Sequence, residues 1–125
     1  MPEIEQDEDD DFEFMREIKP FRLYQIVTND RNNPGPDLAF NGTIVAQVSS
    51  WMRDAPRWSE LRLYKTEGGG WVCHSIGHTI DTEEEPIVRA EACKNEAEIK
   101  AFFGMRYLAK ELYDRAGFDT FVNIP

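Results

Sequence analysis

At 125 residues, with 41% hydrophobic and 12% aromatic side chains, the chain has the length of one domain and enough apolar material to fill one core. Its net charge of −10 is concentrated: residues 1–17 carry nine acids against Arg16 alone, while the other 108 residues carry 15 acids and 13 bases. No basic cluster exists to neutralise phosphates, so no direct nucleic-acid binding is expected, and no apolar run nears the ~20 residues of a membrane-crossing helix.

The N-terminus is acidic where a secretory leader would be basic and then apolar, which makes the cytoplasm the expected compartment. Cys73 and Cys93 are too few for a disulfide framework. Residues 1–17 read as an acidic disordered tail, because a block of like charges repels itself and stays solvated. Asp7, Glu8, Asp9, Asp10 and Asp11 with Phe12 and Phe14 also have the alternation of acids and large hydrophobes suited to a docking segment, or to a mimic of a nucleic-acid strand in a partner's basic groove. Residues 18–125 read as a single α+β domain.

Phe21–Val27 is aromatic and β-branched over a strand length, and Asn29–Pro36 is dense in residues that interrupt regular structure. Asn41-Gly42 between two apolar runs predicts a tight hairpin turn, with Ile44, Ala46 and Val48 facing the core from the second strand. The connector Trp51-Met-Arg-Asp-Ala-Pro-Arg-Trp58 places Trp51, Arg53, Arg57 and Trp58 in one short segment. That set is either a stacking surface for a partner or ligand, or two indoles that anchor a loop to the sheet edge. Leu61 and Leu63 alternate with Glu60, Arg62 and Tyr64 ahead of Gly68-Gly-Gly70, which predicts a hairpin returning along Trp71–Ile76. Gly77 and residues 81–86 predict a turn and an acidic loop before a last strand, Ile87–Cys93.

Asn95-Glu-Ala-Glu98 carries the signature of a helix start, and Gly117 that of its left-handed end. One amphipathic helix is predicted to span 95–116, with Phe102, Met105, Ala109, Leu112 and Ala116 on the stripe that covers the sheet. Ile99, Phe103 and Tyr107 form a second row that needs a cover, either Phe118, Phe121, Val122 and Ile124 folded back or the same row of a second copy in a homodimer. The expected fold is α+β: an antiparallel sheet of about four to six strands, built from hairpins as a meander, with this helix packed on one face.

Candidate chemistry is thin. Cys73-His74-x-x-x-His78 has metal-ligand residue types, but neighbouring strand residues point to opposite faces, so no metal is expected there, and a Cys–His nucleophile pair fails for the same reason. Glu83-Glu-Glu85 beside Pro86 reads as solvated, and Gly68-Gly-Gly70 lacks the lysine and following helix of a phosphate loop. No catalytic residue and no cofactor are predicted.

Phe40-Asn-Gly42, then Leu-Tyr-Lys-Thr-x-x-Gly across 63–69, then Leu-Ala-Lys-Glu-Leu-Tyr-Asp-Arg-Ala-Gly-Phe across 108–118, resembles the small bacterial proteins grouped as the EXLDI family. The resemblance covers about residues 38–124, and the Glu-x-Leu-Asp-Ile motif that names the group is represented by Thr120-Phe-Val-Asn-Ile124. It implies a compact domain from bacteria or their mobile elements and transfers no functional residue. The expected function is a non-enzymatic one exercised through protein–protein interaction, with Trp51, Arg53, Arg57, Trp58, Phe103 and Tyr107 as contact candidates; the alternative is an inhibitor acting through the acidic tail.

Overall fold

The computed structural model describes residues 20–125, so the acidic tail and its boundary with the domain lie outside the described residues. Five strands, β1 (Arg22–Ile26), β2 (Leu38–Ser49), β3 (Arg57–Thr66), β4 (Trp71–Thr79) and β5 (Ile87–Cys93), precede two helices, α1 (Glu96–Phe103) and α2 (Tyr107–Ala116). Each strand pairs antiparallel with the next, giving a meander in the order β1-β2-β3-β4-β5. The α+β class and the antiparallel sheet are therefore as expected. No described helix is long and apolar enough to cross a membrane.

Both helices cover one face of the sheet. Ala46, Val48, Leu61, Leu63, Cys73 and Cys93 on that face meet Ile99, Ala109, Leu112 and Tyr113 in a buried cluster. The alternation of Leu61 and Leu63 with polar residues is what aims β3 at the helices.

The predicted single helix is two helices. Gly104 leaves the helical region at φ 81, and its N–H caps α1 by donating to the Lys100 carbonyl at 2.8 Å. The buried Tyr113 hydroxyl donates to the Gly104 carbonyl at 2.6 Å, holding α2 against the break. The apolar spacing continues across 104 because both helices bury the same side, and that continuity hides the break from a periodicity argument. The row Ile99, Phe103, Tyr107 does not exist as one face: Ile99 is fully buried, Phe103 packs among Phe102 and Tyr113, and Tyr107 is exposed at the start of α2. The tail covers little of this region. Phe118 packs edge-on to Trp71, whereas Phe121, Val122 and Ile124 remain exposed.

A second correction concerns Asn41-Gly42, which lies inside β2 and not at a turn. Gly42 pairs with Arg22 on one side and Thr66 on the other, so the chain is extended there and the positive φ that favours this dipeptide in turns is absent. The connection between β1 and β2 is the loop 27–37, closed by Thr28, whose N–H and hydroxyl both donate to Asp37 Oδ1 at 3.0 and 3.3 Å. Gly77 is likewise inside a strand, since β4 runs on to Thr79.

β2 changes faces halfway. Its register with β3 steps from Ile44↔Tyr64 to Ala46↔Leu63, leaving Val45 without a partner, the signature of a bulge. Ala46, Val48 and the bulged Val45 therefore face the helices, while Ile44 turns to the opposite face with Tyr24, Leu38, Phe40 and Tyr64. The bend lets β1 and the first half of β2 curl over that opposite face. Asn29, just past β1, fastens the curl to β5: its N–H donates to the Val88 carbonyl at 3.1 Å, its Oδ1 accepts from the Val88 N–H at 2.7 Å, and its Nδ2 donates to the Pro86 carbonyl at 2.9 Å. Ile26, Tyr64 and Val72 are buried under the curl although no helix covers them.

Candidate functional site

The face opposite the helices carries a row of ionisable and aromatic side chains on the two central strands. Pairing sets Trp58 beside His78, Glu60 beside Ile76, Arg62 beside His74 and Tyr64 beside Val72. All eight point to one side because directly opposed residues in an antiparallel pair share a face.

Glu60 holds the row together. Its Oε2 accepts from Arg62 Nε at 2.8 Å and lies 2.6 Å from the second Arg62 nitrogen, while its Oε1 is 3.1 Å from His78 Nε2. Burial pushes the Glu60 carboxyl up, and the hydrogen bonds from Arg62 and His78 outweigh that, so it stays below the usual carboxylate range. Trp58 stacks on the His78 ring at 5.1 Å between centroids and 17° between planes. The Tyr64 hydroxyl and His74 Nδ1 share a hydrogen bond of 3.1 Å beneath the curl. Burial, reinforced by the Arg62 charge, pushes His74 down to about 4, so its ring is neutral at neutral pH. Burial raises Tyr64, which therefore stays a neutral phenol.

Both Glu60 oxygens, Arg62 Nε, His78 Nε2, the Tyr64 hydroxyl and His74 Nδ1 are engaged within the row. A general base needs a proton donor within reach and an open side, and Glu60 is committed to two neighbours. The nearest thiol, Cys73, lies on the other face, where its Sγ is 3.5 Å from Cys93 Sγ. Burial raises both thiols and removes thiolate character. The sequence placed these cysteines on neighbouring strands, and the structure brings them into contact. Their register is diagonal, with Cys73 opposite Glu91 and Cys93 opposite Trp71, a spacing that makes a disulfide require backbone movement. Among the described residues no three of His, Cys, Asp and Glu are grouped to hold a metal ion.

The contact candidates do not form one surface. Trp58 is a strand residue occupied with His78, and Arg57 pairs with Glu84 at 3.2 Å. Trp51 and Arg53 sit in the exposed loop 50–56, where Asp54 adopts φ 69. Phe103 is half-buried and Tyr107 lies apart from it across the helix break. What sequence reasoning missed is Met52 within that loop and Ile80 beside it: the Ile80 N–H donates to the Pro56 carbonyl at 3.0 Å, tying the loop 50–56 to the end of β4. With Trp51 at 58%, Met52 at 69% and Ile80 at 64% exposure, this end of the sheet presents three large apolar side chains to solvent. A signal existed in Trp51-Met52 followed by arginines, but nothing local to Ile80 marks it as their neighbour. No family model, curated relative or solved structure matches this chain, so the properties of the two surfaces rest on their own geometry.

Proposed function

We propose that the chain is a non-enzymatic interaction domain whose contact surface is the sheet end formed by Trp51, Met52, Arg53 and Ile80, with Arg57 at its border. The observation that carries the reading is the exposure of a tryptophan, a methionine and an isoleucine on two loops fastened to each other by the Ile80–Pro56 and Arg57–Glu84 contacts. Tryptophan and arginine dominate binding energy at protein interfaces, and a pre-ordered loop loses little freedom on association. The mutually satisfied Glu60–Arg62–His78 row supports the non-enzymatic part. The resemblance to the EXLDI proteins belongs to the same proposal and would make the setting a bacterial cell or a mobile element.

A photo-crosslinking amino acid at position 51, illuminated in the native host, is expected to capture one discrete protein, and the same probe at Glu67 none. A Met52→Ser/Ile80→Ser variant with unchanged melting temperature should lose that capture. Equal capture at both positions would sink the proposal. Deleting residues 1–16 tests the acidic-tail alternative in the same assay, because capture at 51 survives if the domain is the binding element.

A further inference from the structure

We propose that the chain forms a two-fold dimer by exchange of its C-terminal segment, residues 120–125 of one copy adding as a strand to the outer edge of β5 of the other. Two features of the described residues need each other. The first is an open strand edge. Val88 turns its N–H and C=O outward to Asn29, and the two-residue alternation of a strand aims those of Ala90 and Ala92 the same way. β5 pairs only with β4, and no described residue bonds to Ala90 or Ala92 on the outer side. Beside this edge lies a cleft of about 480 Å³ whose walls mix Pro34, Pro36, Leu38 and Phe102 with Arg89 and Glu91, the Arg89 guanidinium lying 4.7 Å over the Phe102 ring, and the loop 27–37 faces β5 across it. Such an edge is a template for strand addition, the apolar part of the cleft taking alternate side chains.

The second feature is an extended apolar segment with no cover. Phe121, Val122 and Ile124 are 83%, 77% and 81% exposed in a stretch without regular structure. The start of the segment is held away from its own cleft. Lys100 Nζ donates to the Asp119 carbonyl at 2.6 Å and the Phe121 N–H donates to Asp119 Oδ1 at 2.9 Å, which fastens the start of the segment to the Lys100 side of α1. Phe102, which walls the cleft, is two residues on and so about 200° around the helix. A second copy is under no such constraint. The three side chains expose on the order of 400 Å² of apolar surface. Reciprocal exchange covers that area on two segments and a similar area on two clefts, about 1,600 Å² in all, the size of a stable specific interface.

Sedimentation of the full chain is expected to show a dimer. Phe121→Asp with Ile124→Asp should loosen association about 30-fold or more, with unchanged folding because both side chains are exposed. Ala92→Pro, which removes an outward N–H at an edge where proline is tolerated, should do the same. Mixing these two variants restores one intact segment and one intact edge, so a weaker heterodimer is expected where each alone is monomeric. A monomeric wild-type chain at its highest soluble concentration overturns the proposal. So does a dimer that survives either variant, or a mixture that stays monomeric.

Discussion

Alanine at position 42 is expected to cost about 3 kcal/mol of stability, a large part of what a domain of this size has. A Cβ built there lies 2.6 Å from the Lys65 carbonyl oxygen and 3.1 Å from the Phe40 ring. Rotation of a flexible side chain cannot relieve the first of these, since the obstacle is the backbone of the neighbouring strand. Gly42 pairs with β1 and β3 at once, so a shift that clears the contact has to disturb two ladders. Gly68→Ala is the control, because an added Cβ there meets nothing within 4 Å. Urea unfolding should separate the two variants by several kcal/mol; a Gly42→Ala protein as stable as the Gly68→Ala one would contradict the placement of 41–42 inside a strand.

The second large effect is a loss of stability in mild acid centred on His74. Its folded-state value of about 4 lies below the usual 6.5 of a histidine, so the unfolded chain binds a proton that the folded chain refuses. The unfolded state holding more protons means that stability rises with pH, and conversely falls as pH drops from about 6.5. The loss is complete near pH 4 and reaches about 3 kcal/mol from this one group, at 1.36 kcal/mol per pKa unit. Burial is the chief cause, with Arg62 across the strand pair adding to it and Glu60 opposing it. Glu60, held below its usual range, contributes stability that is present above the carboxylate range and disappears at lower pH, so the two windows are distinct. His74→Gln should flatten the stability profile between pH 6.5 and 4.5. An unchanged slope in that variant would show that the ring is not held neutral.

These two residues also show how far the sequence could be read. The face that meets the helices was legible at Leu61 and Leu63, because one-sided burial writes a period of two into β3. The other face was not, since Glu60, Arg62 and Tyr64 look like solvent-facing partners of those leucines. Glu60 and Arg62 are part-buried, and Tyr64 is buried under a curl that depends on a single unpaired residue, Val45, and a contact between Asn29 and Val88 across 59 positions. Neither leaves a local pattern. Asn41-Gly42 misled because its local preference for a turn is overridden by pairing with β1 on one side and β3 on the other, which holds it extended. The helix was found with its cap at Asn95, whose side chain accepts from the Glu98 N–H at 2.9 Å, but its division at Gly104 was masked by a stripe common to α1 and α2. Of the candidate contact residues, Trp51 and Arg53 were placed on an exposed loop, whereas Trp58 was claimed by a strand partner that only the register reveals.

The fastening of Asn29 to β5 sets the order in which the chain can assemble. Every strand pair of the meander joins neighbours in sequence, and apart from the loop 27–37 the connections are short, so those ladders close small loops and form early. The Asn29–Val88 contact, by contrast, closes a loop that contains three whole strands, and it gains nothing until the bend at Val45 has brought β1 round. It should therefore form last on folding and open first in the native state. In native-state hydrogen exchange the amides of Asn29 and Val88 should exchange through a low-energy opening that leaves the amides between β3 and β4 protected, and exchange of all of them at one common rate would show instead that the curl and the helical face rise and fall as a single cooperative unit.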